Sequence, residues 1–308
     1  MPDSGTHTHE ALFYRDDREY LEGISRFLEP PRDTGEPVAL LLPGAKLELA
    51  RDLVSGLPYC ELLDMSDVGR NPARVIPLVT RLLEQAEDMR TLHVIGEPIW
   101  PGRGSDEVRE ALRHEALVNL AFKDAAMRAL CPYDAAQLDR SVLAIAERTH
   151  RTVLDHGQPS ASACYSDAIP AECESALTPP PGDVVRFELE DGNLASLRAA
   201  VRDFGREHRM RAGALNDLLV IANELATNAY EHGAPPRRLT LWRALRHLVC
   251  QVENEGTIAD PLVGRRNPDP RPGHGMGLWI VHQIADLVEV RDGSRTTVRA
   301  HLASGSAR

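Results

Sequence analysis

Two α/β domains joined by a short linker are what this sequence predicts, and three observations carry that expectation. Residues 9–155 alternate continuous apolar runs with amphipathic helical stretches. Residues 156–183 lose all hydrophobic period and end in Pro179-Pro180-Pro181-Gly182. Residues 184–308 resume with strand-like and helical segments in a different order. Strands alternating with helices imply layered α/β units, and 308 residues suffice for two of them.

In the first domain, Leu12-Phe13-Tyr14 reads as a short strand. Asp17 to Leu28 is helical, with Tyr20, Leu21, Ile24, Phe27 and Leu28 on one side. Val38 to Leu42 is wholly apolar and closed by Pro43-Gly44, the pattern of a strand buried on both faces of a parallel sheet. Helices follow at Leu47 to Val54 and Val75 to Gln85, then a strand at Thr91 to Gly96 and a helix at Ser105 to Phe122. A strand at Ala126 to Cys131 and a helix at Ala135 to His150 close the domain. The stretch 156–183 is rich in Ser, Ala, Pro and Gly and is expected as an extended linker.

In the second domain, Val184 to Leu189 alternates as a strand, and Leu194 to His208 and Ala214 to Tyr230 are helical. Strands at Leu239 to Ala244 and Leu248 to Glu253 flank a turn at Arg246-His247. A polar, Pro-rich loop leads to a helix from Met276 to Leu287, and strands at Val288 to Arg291 and Thr297 to Leu302 end the domain.

The 35 basic against 46 acidic residues give a net charge of -11. That argues against nucleic acid or an anionic membrane as the main partner, since both reward a basic face. There is no apolar run of about 18 residues and no apolar signal core in Met1 to Glu10, so a cytoplasmic protein is expected. The five cysteines, Cys60, Cys131, Cys164, Cys173 and Cys250, form no C-x-x-C pair and read as reduced thiols, not a disulfide frame or a zinc site.

Two motifs carry chemistry. Asn223-Glu224-Leu225-Ala226-Thr227-Asn228-Ala229-Tyr230-Glu231-His232-Gly233 places Glu224 and Asn228 four apart on one helix face. Leu215, Leu218, Ala222, Leu225 and Ala229 form a separate apolar stripe for a sheet. An Asn amide oxygen suits Mg2+, which takes oxygen ligands and shares them with phosphates, and Glu224 can orient or deprotonate a hydroxyl. The plain alternative is a helix with a solvated polar face. The second motif, Pro272-Gly273-His274-Gly275-Met276-Gly277-Leu278, sets three alternate glycines before an apolar helix. Glycines let backbone N–H groups approach phosphate, and a helix N-terminus adds a favourable dipole.

With these motifs about 40 residues apart, residues 185–303 resemble the GHKL ATPase superfamily. The resemblance is strongest to anti-sigma serine kinases of the SpoIIAB and RsbW type from Gram-positive bacteria. It implies a Bergerat-type α/β sandwich holding ATP–Mg2+ under a lid, here Thr257 to Arg271. It further implies Asn228 as the Mg2+ ligand, Glu224 as general base and Gly273, Gly275 and Gly277 beside phosphate. Thr297, or Thr296, matches the family's threonine near adenine. The family's Asp-x-Gly triplet is Asn254-Glu255-Gly256 here; an Asn oxygen still accepts from an adenine amino group, but its NH2 needs a partner of its own. Losing the charge costs on the order of 1–2 kcal/mol, about tenfold in affinity. Ser294-Arg295 also stands where the family has a glycine.

Residues 7–155 resemble the MEDS sensory domain, through His9 with Leu12-Phe13-Tyr14, the strand Val38 to Leu42, Leu92 to Ile95 followed by Glu97, and Cys131-Pro132-Tyr133-Asp134. That resemblance implies a RecA-like layered fold and a small-molecule signal. Pro43-Gly44-Ala45-Lys46 occupies a P-loop position without P-loop spacing. His9, Tyr14, Glu97, Tyr133 and Asp134 are the polar groups at strand ends, where α/β sheets place ligands. His150 reads as a helix-end histidine.

The resulting expectation is 1–155 sensory, 156–183 linker and 184–308 ATPase. The resemblance implies an anti-sigma serine/threonine kinase that holds a sigma factor or phosphorylates a STAS-type anti-anti-sigma partner, with homodimerisation as in its relatives. The competing expectations are a non-catalytic interaction protein with a decayed nucleotide site, and a redox sensor acting through its cysteines.

Overall fold

The computed structural model describes residues 7–86, 91–190, 193–244, 247–268 and 276–303. The chain divides into two compact units, Met1–Cys173 and Glu174–Arg308.

The first unit runs β1 (Thr8–Tyr14), α1 (Asp17–Phe27), α2 (Glu29–Thr34), β2 (Val38–Leu42), α3 (Gly44–Ala50), β3 (Cys60–Asp64), α4 (Met65–Val68) and α5 (Val75–Gln85). It continues with β4 (Leu92–Gly96), α6 (Ser105–Ala121), β5 (Met127–Asp134), α7 (Arg140–Thr149), β6 (Thr152–Asp155) and β7 (Gln158–Ala161). The sheet order is β3-β2-β4-β5-β1-β6-β7. Every pairing is parallel except β6 with β7.

The period-2 rule sorts β1 between two cores. Leu12 and Tyr14 join Tyr20, Ile24 and Leu40 on one face, while Ala11 and Phe13 join Leu112, Tyr133 and Ile145 on the other. Burial of both faces explains why β2 is uniformly apolar. Pro132 interrupts β5 beyond the last residue paired with β4, where no strand on that side needs its missing N–H.

Three differences from the sequence expectation have physical causes. The strand β3 is a half-exposed edge, so it lacks an apolar run to announce it. The helix expected from Ala135 starts at Arg140, because Asp134 and Asp139 divert the backbone. Asp134 Oδ1 accepts from the Ala136 and Gln137 amides at 3.0 Å each, and Asp139 Oδ1 caps Ser141 N at 2.9 Å. The segment expected as a free linker, 156–183, is shared between the units. Its start forms β7, and Cys173 is buried in the first core.

The second unit contains β8 (Val185–Glu188), α8 (Leu194–Glu207), α9 (Ala212–His232), β9 (Ala234–Ala244), β10 (His247–Glu255), α10 (Met276–Ile284), β11 (Leu287–Asp292) and β12 (Thr296–Ala303). Its sheet is antiparallel throughout, in the order β11-β12-β10-β9-β8. The helices cover one face, where Val201, Leu218, Ala222, Leu225 and Val281 meet Leu241, Cys250 and Ala300. The apolar stripe read on α9 is therefore the one that packs on the sheet.

On the other face Gln251, Glu289, Arg291 and Arg299 are buried. The former linker supplies part of that cover: Arg291 Nε donates to Ser175 O at 3.1 Å and Arg299 Nη2 to Thr178 O at 2.7 Å. Extended backbone that hydrogen-bonds to buried arginines needs no hydrophobic period, which is why the sequence reads as linker there. No helix among the described residues is long and apolar enough to cross a membrane.

Glu97, directly after β4, is fully buried and accepts from Tyr14 Oη at 2.8 Å and Tyr20 Oη at 3.4 Å. Burial raises its pKa from 4.5 to about 7. The native state therefore keeps a proton that the unfolded chain releases above pH 4.5, and stability falls as pH rises through about 7. The loss is roughly 3 kcal/mol. Urea unfolding at pH 5 and pH 8 is expected to show it, and Glu97→Gln should flatten the difference; an unchanged pH dependence in the variant would assign it elsewhere.

Candidate functional site

The polar flank of α9 is held against the first turn of α10. Leu218, Ile221, Ala222, Leu225 and Ala229 turn into the core, which leaves Glu224 and Asn228, one helical turn apart, half-buried at its edge. A Cβ at Gly277 would lie 2.8 Å from Glu224 Oε2 and 3.0 Å from Asn228 Oδ1. Only a glycine lets the α10 backbone come so close to both side chains. Asn223, beside them, accepts from Arg198 Nη1 at 3.1 Å and ties α9 to α8.

From Asn228 a cleft of about 600 Å3 opens between α9, the end of β10 and the start of β12. That volume suits a nucleotide-sized ligand. Its walls are Leu225, Ala229, Val252, Val263, Leu278 and Val298, with Asn254 and Thr296 among its polar groups. Asn254 sits at a β-bulge: the β9 partner jumps from Arg238 opposite Glu253 to Ala234 opposite Glu255. A bulge re-aims the side chain it carries. Asn254 Nδ2 donates to Glu255 O at 3.1 Å, so Oδ1 remains as an acceptor and the amide's own donor has its partner. A Cβ at Gly233 would lie 2.3 Å from Asn254 Nδ2 and 2.9 Å from Ala229 O.

Thr296 Oγ1 donates to Gly256 O at 2.9 Å and lies 3.2 Å from Asp292 Oδ1. The other oxygen of Asp292 accepts from Ile258 N at 2.9 Å. These bonds fasten the start of the expected lid, and Thr257, Ile258, Ala259, Asp260 and Val263 line the cleft.

The structure thus brings Glu224, Asn228 and Gly277 together at one end, and Asn254 beside Gly256 at the other. Thr297 is not among the lining residues; strand alternation gives that place to its neighbours Thr296 and Val298. Gly273 and Gly275, and the last lid residues 269–271, lie outside the described residues.

In the first unit the five polar residues read at strand ends separate into two groups. Tyr14 and Glu97 share a hydrogen bond, and Asp134 caps the turn after β5. Lys46 Nζ, in the P-loop position, bonds Asp17 Oδ1 at 2.9 Å and stands over the Tyr14 and Tyr20 rings at 4.7 and 4.5 Å. A Cβ at Gly44 would lie 2.9 Å from Asp64 Oδ2, so this loop faces a carboxylate where a P-loop faces phosphate.

His9 instead joins Glu115, Cys131 and His150, whose ligand atoms all lie within 4.8 Å of one another. All four residues are buried. Tyr133 is on this side too, edge-on to His150 with ring centroids 5.6 Å apart. Burial raises the Glu115 pKa, but the contacts with His150 and His9 outweigh it and hold the carboxyl below its usual range. Burial, then the neighbouring His9, lowers His150. Burial, then the Glu115 charge, pushes the Cys131 thiol up. His9, Cys131 and His150 are visible singly in the sequence but not as a group with Glu115, because β1, α6, β5 and the end of α7 each contribute one member.

A nucleotide-sized cleft in one unit and a parallel-rich α/β layer in the other make a two-module chain. Residues 187–302 match the family model of the histidine kinase-like ATPase domain. Residues 8–151 match the model described as MEDS, the methanogen/methylotroph, DcmR sensory domain. The chain carries a MEDS domain followed by a GHKL-like ATPase domain. Among solved structures it is similar to the RsbU and RsbW domains of Rv1364c from Mycobacterium tuberculosis. That match has 17% identity and a TM-score of 0.31, and it covers 42% of this chain and 34% of that one. The chain therefore spans about a third of that solved chain. No curated protein matches.

The contact at Gly233 is testable without any ligand. Gly233→Ala forces Asn254 and the α9 terminus apart and should cost about 1–3 kcal/mol in urea unfolding. A loss below about 0.5 kcal/mol would mean that the end of β10 adjusts freely.

Proposed function

We propose that the C-terminal unit binds ATP–Mg2+ and that the chain is an anti-sigma-type serine/threonine kinase governed by its sensory domain. The observation that carries this reading is the convergence of Glu224 and Asn228 on the Gly277 backbone at the mouth of a cleft that also presents Asn254. Bound ATP–Mg2+ would supply the phosphoryl group to be transferred. Asn228 offers an amide oxygen to the metal. Gly277 keeps the approach to the phosphates clear of side chains; the family resemblance assigns the same role to Gly273 and Gly275. Asn254 accepts from the adenine amino group through Oδ1, Gly256 and Thr296 brace that end, and the apolar walls take the base. Glu224, one turn from Asn228, accepts the proton of a partner's serine or threonine hydroxyl. The partner is a STAS-type anti-anti-sigma protein for phosphorylation, or a sigma factor held by binding.

A second reading has its own support. Asn254 stands where the family has an aspartate, and Arg295 where it has a glycine, as expected of a module that acts by binding alone.

Calorimetry of the full chain with ATP–Mg2+ separates them. Binding is expected, with loss of at least about tenfold in affinity in Asn228→Ala. Gly277→Ala should weaken binding similarly while leaving the melting temperature nearly unchanged, because its Cβ meets only the ends of two side chains. No binding at millimolar ATP would leave the binding-only reading. Asn254→Asp is expected to tighten ATP by about tenfold, since a charged acceptor makes the stronger bond; unchanged affinity would remove this residue from adenine recognition. Transfer is checked by incubating the chain and labelled ATP with candidate STAS proteins, where Glu224→Gln should abolish labelling yet retain binding.

A further inference from the structure

With both rings neutral, the buried group His9, Glu115, Cys131 and His150 has a hydrogen-bonding arrangement that its own atoms cannot satisfy. His150 Nδ1 is 2.8 Å from Ala146 O, a pure acceptor, so Nδ1 carries the proton and Nε2 a lone pair. His9 Nδ1 is 3.0 Å from Asn119 Oδ1. The Asn119 amide is oriented by its other end, since Nδ2 donates to Thr149 O at 2.7 Å. His9 Nδ1 is therefore also the protonated nitrogen, and its Nε2 also presents a lone pair.

Both lone pairs point at one atom. Glu115 Oε2 is 3.0 Å from His9 Nε2 and 3.3 Å from His150 Nε2. Cys131 Sγ is 3.2 Å from His9 Nε2. Two imidazole lone pairs and a carboxylate oxygen thus converge, with one thiol proton to share among them. Neutral rings would leave acceptors facing acceptors in a buried site, which costs several kcal/mol. A cation at the centre removes the conflict.

We infer that His9, Glu115, Cys131 and His150 form a mononuclear site for a divalent transition metal, with zinc the ion their chemistry fits best. Two imidazoles, a thiolate and one carboxylate are a donor set for zinc and its neighbours, not for magnesium or calcium. Bonds of about 2.0–2.3 Å at tetrahedral angles put donor atoms roughly 3.3–3.8 Å apart; the spacings of 3.0, 3.2 and 3.3 Å need small outward shifts, and the remaining pairs lie within 4.8 Å. The outer contacts are those of a metal-binding histidine pair, each ring anchored through Nδ1 so that Nε2 faces the ion. Binding releases the Cys131 proton to solvent and leaves a thiolate on the metal. An apolar cavity of about 40 Å3, walled by Leu41, Met65, Val79, Val94 and Phe122, borders His9, Glu115 and Cys131. The metal would join strands β1 and β5 to helix α6 and the end of α7.

Cobalt titration of the full chain tests the assignment. The protein is stripped with chelator, and its far-ultraviolet circular dichroism is checked before Co2+ is added. The expected result is binding of one Co2+ per chain, with intense visible bands of a tetrahedral ion and a thiolate charge-transfer band in the near ultraviolet. Zn2+ should displace it. Elemental analysis of the unstripped protein should find a transition metal at equal stoichiometry. Cys131→Ser should lose the charge-transfer band, and His150→Ala should weaken Co2+ by more than about a hundredfold, beyond the usual cost of losing an outer partner. The wild-type spectrum stands as a readout even where a variant fails to fold. A chain that yields only the weak spectrum of hydrated Co2+ overturns the site. A charge-transfer band that survives Cys131→Ser overturns it equally, by placing the metal on another cysteine.

Discussion

The candidate cleft of the second unit depends on a backbone approach that only a missing side chain permits. The first turn of α10 lies against Glu224 and Asn228, with Gly277 between them. Everything else at the site follows from this distance. The apolar stripe of α9 settles that helix on the sheet and presents the two polar side chains on its flank. The core residues Leu278 and Val281 then hold α10 in place beside them. The far end of the cleft repeats the device, because Gly233 gives Asn254 room to turn at a β-bulge.

Polar groups in this chain are buried where something specific satisfies them, and each case has a different structural consequence. Arg291 and Arg299, on the face of the sheet away from the helices, are met by the backbone of Ser175 and Thr178. A stretch with the composition of a linker is thereby recruited into the second unit. Glu97 is satisfied by two tyrosine hydroxyls, and burial raises its pKa further than they lower it. The group around Glu115 differs, since its members are ordered by outer hydrogen bonds to Ala146 and Asn119 while their inner atoms face one another. A bound cation would satisfy those inner atoms, which is the ground of the metal site proposed above.

The two modules divide chemistry in a consistent way. In the ATPase domain Asn228, Asn254 and Thr296 border an open cleft, while Gln251, Glu289, Arg291 and Arg299 are buried on the other side of the sheet. In the MEDS domain the polar groups are enclosed between sheet and helices, and the P-loop position is closed by Asp64 and by Lys46 bound to Asp17. The open cleft belongs to one module, and the other keeps a buried polar group between sheet and helices.

Much of this was legible in the amino-acid order, because it rests on local periodicity and on motifs contiguous in sequence. The uniform apolar run Val38 to Leu42 announces a doubly covered strand. The stripe on α9 separates its packing face from its chemical one, and the spacing of Glu224 and Asn228 follows from 3.6 residues per turn. The edge strand β3 and the cover supplied by 174–178 were not legible, since exposed edges and backbone-to-arginine bonds leave no hydrophobic period. Nor could sequence choose between Thr296 and Thr297, because the pleat of β12 decides which one turns into the cleft. Tertiary structure alone assembled His9, Glu115, Cys131 and His150. Residues 141 positions apart at the extremes become neighbours because β1 lies beside β5 and α6 and α7 cover the same face, a consequence of topology that no local pattern encodes.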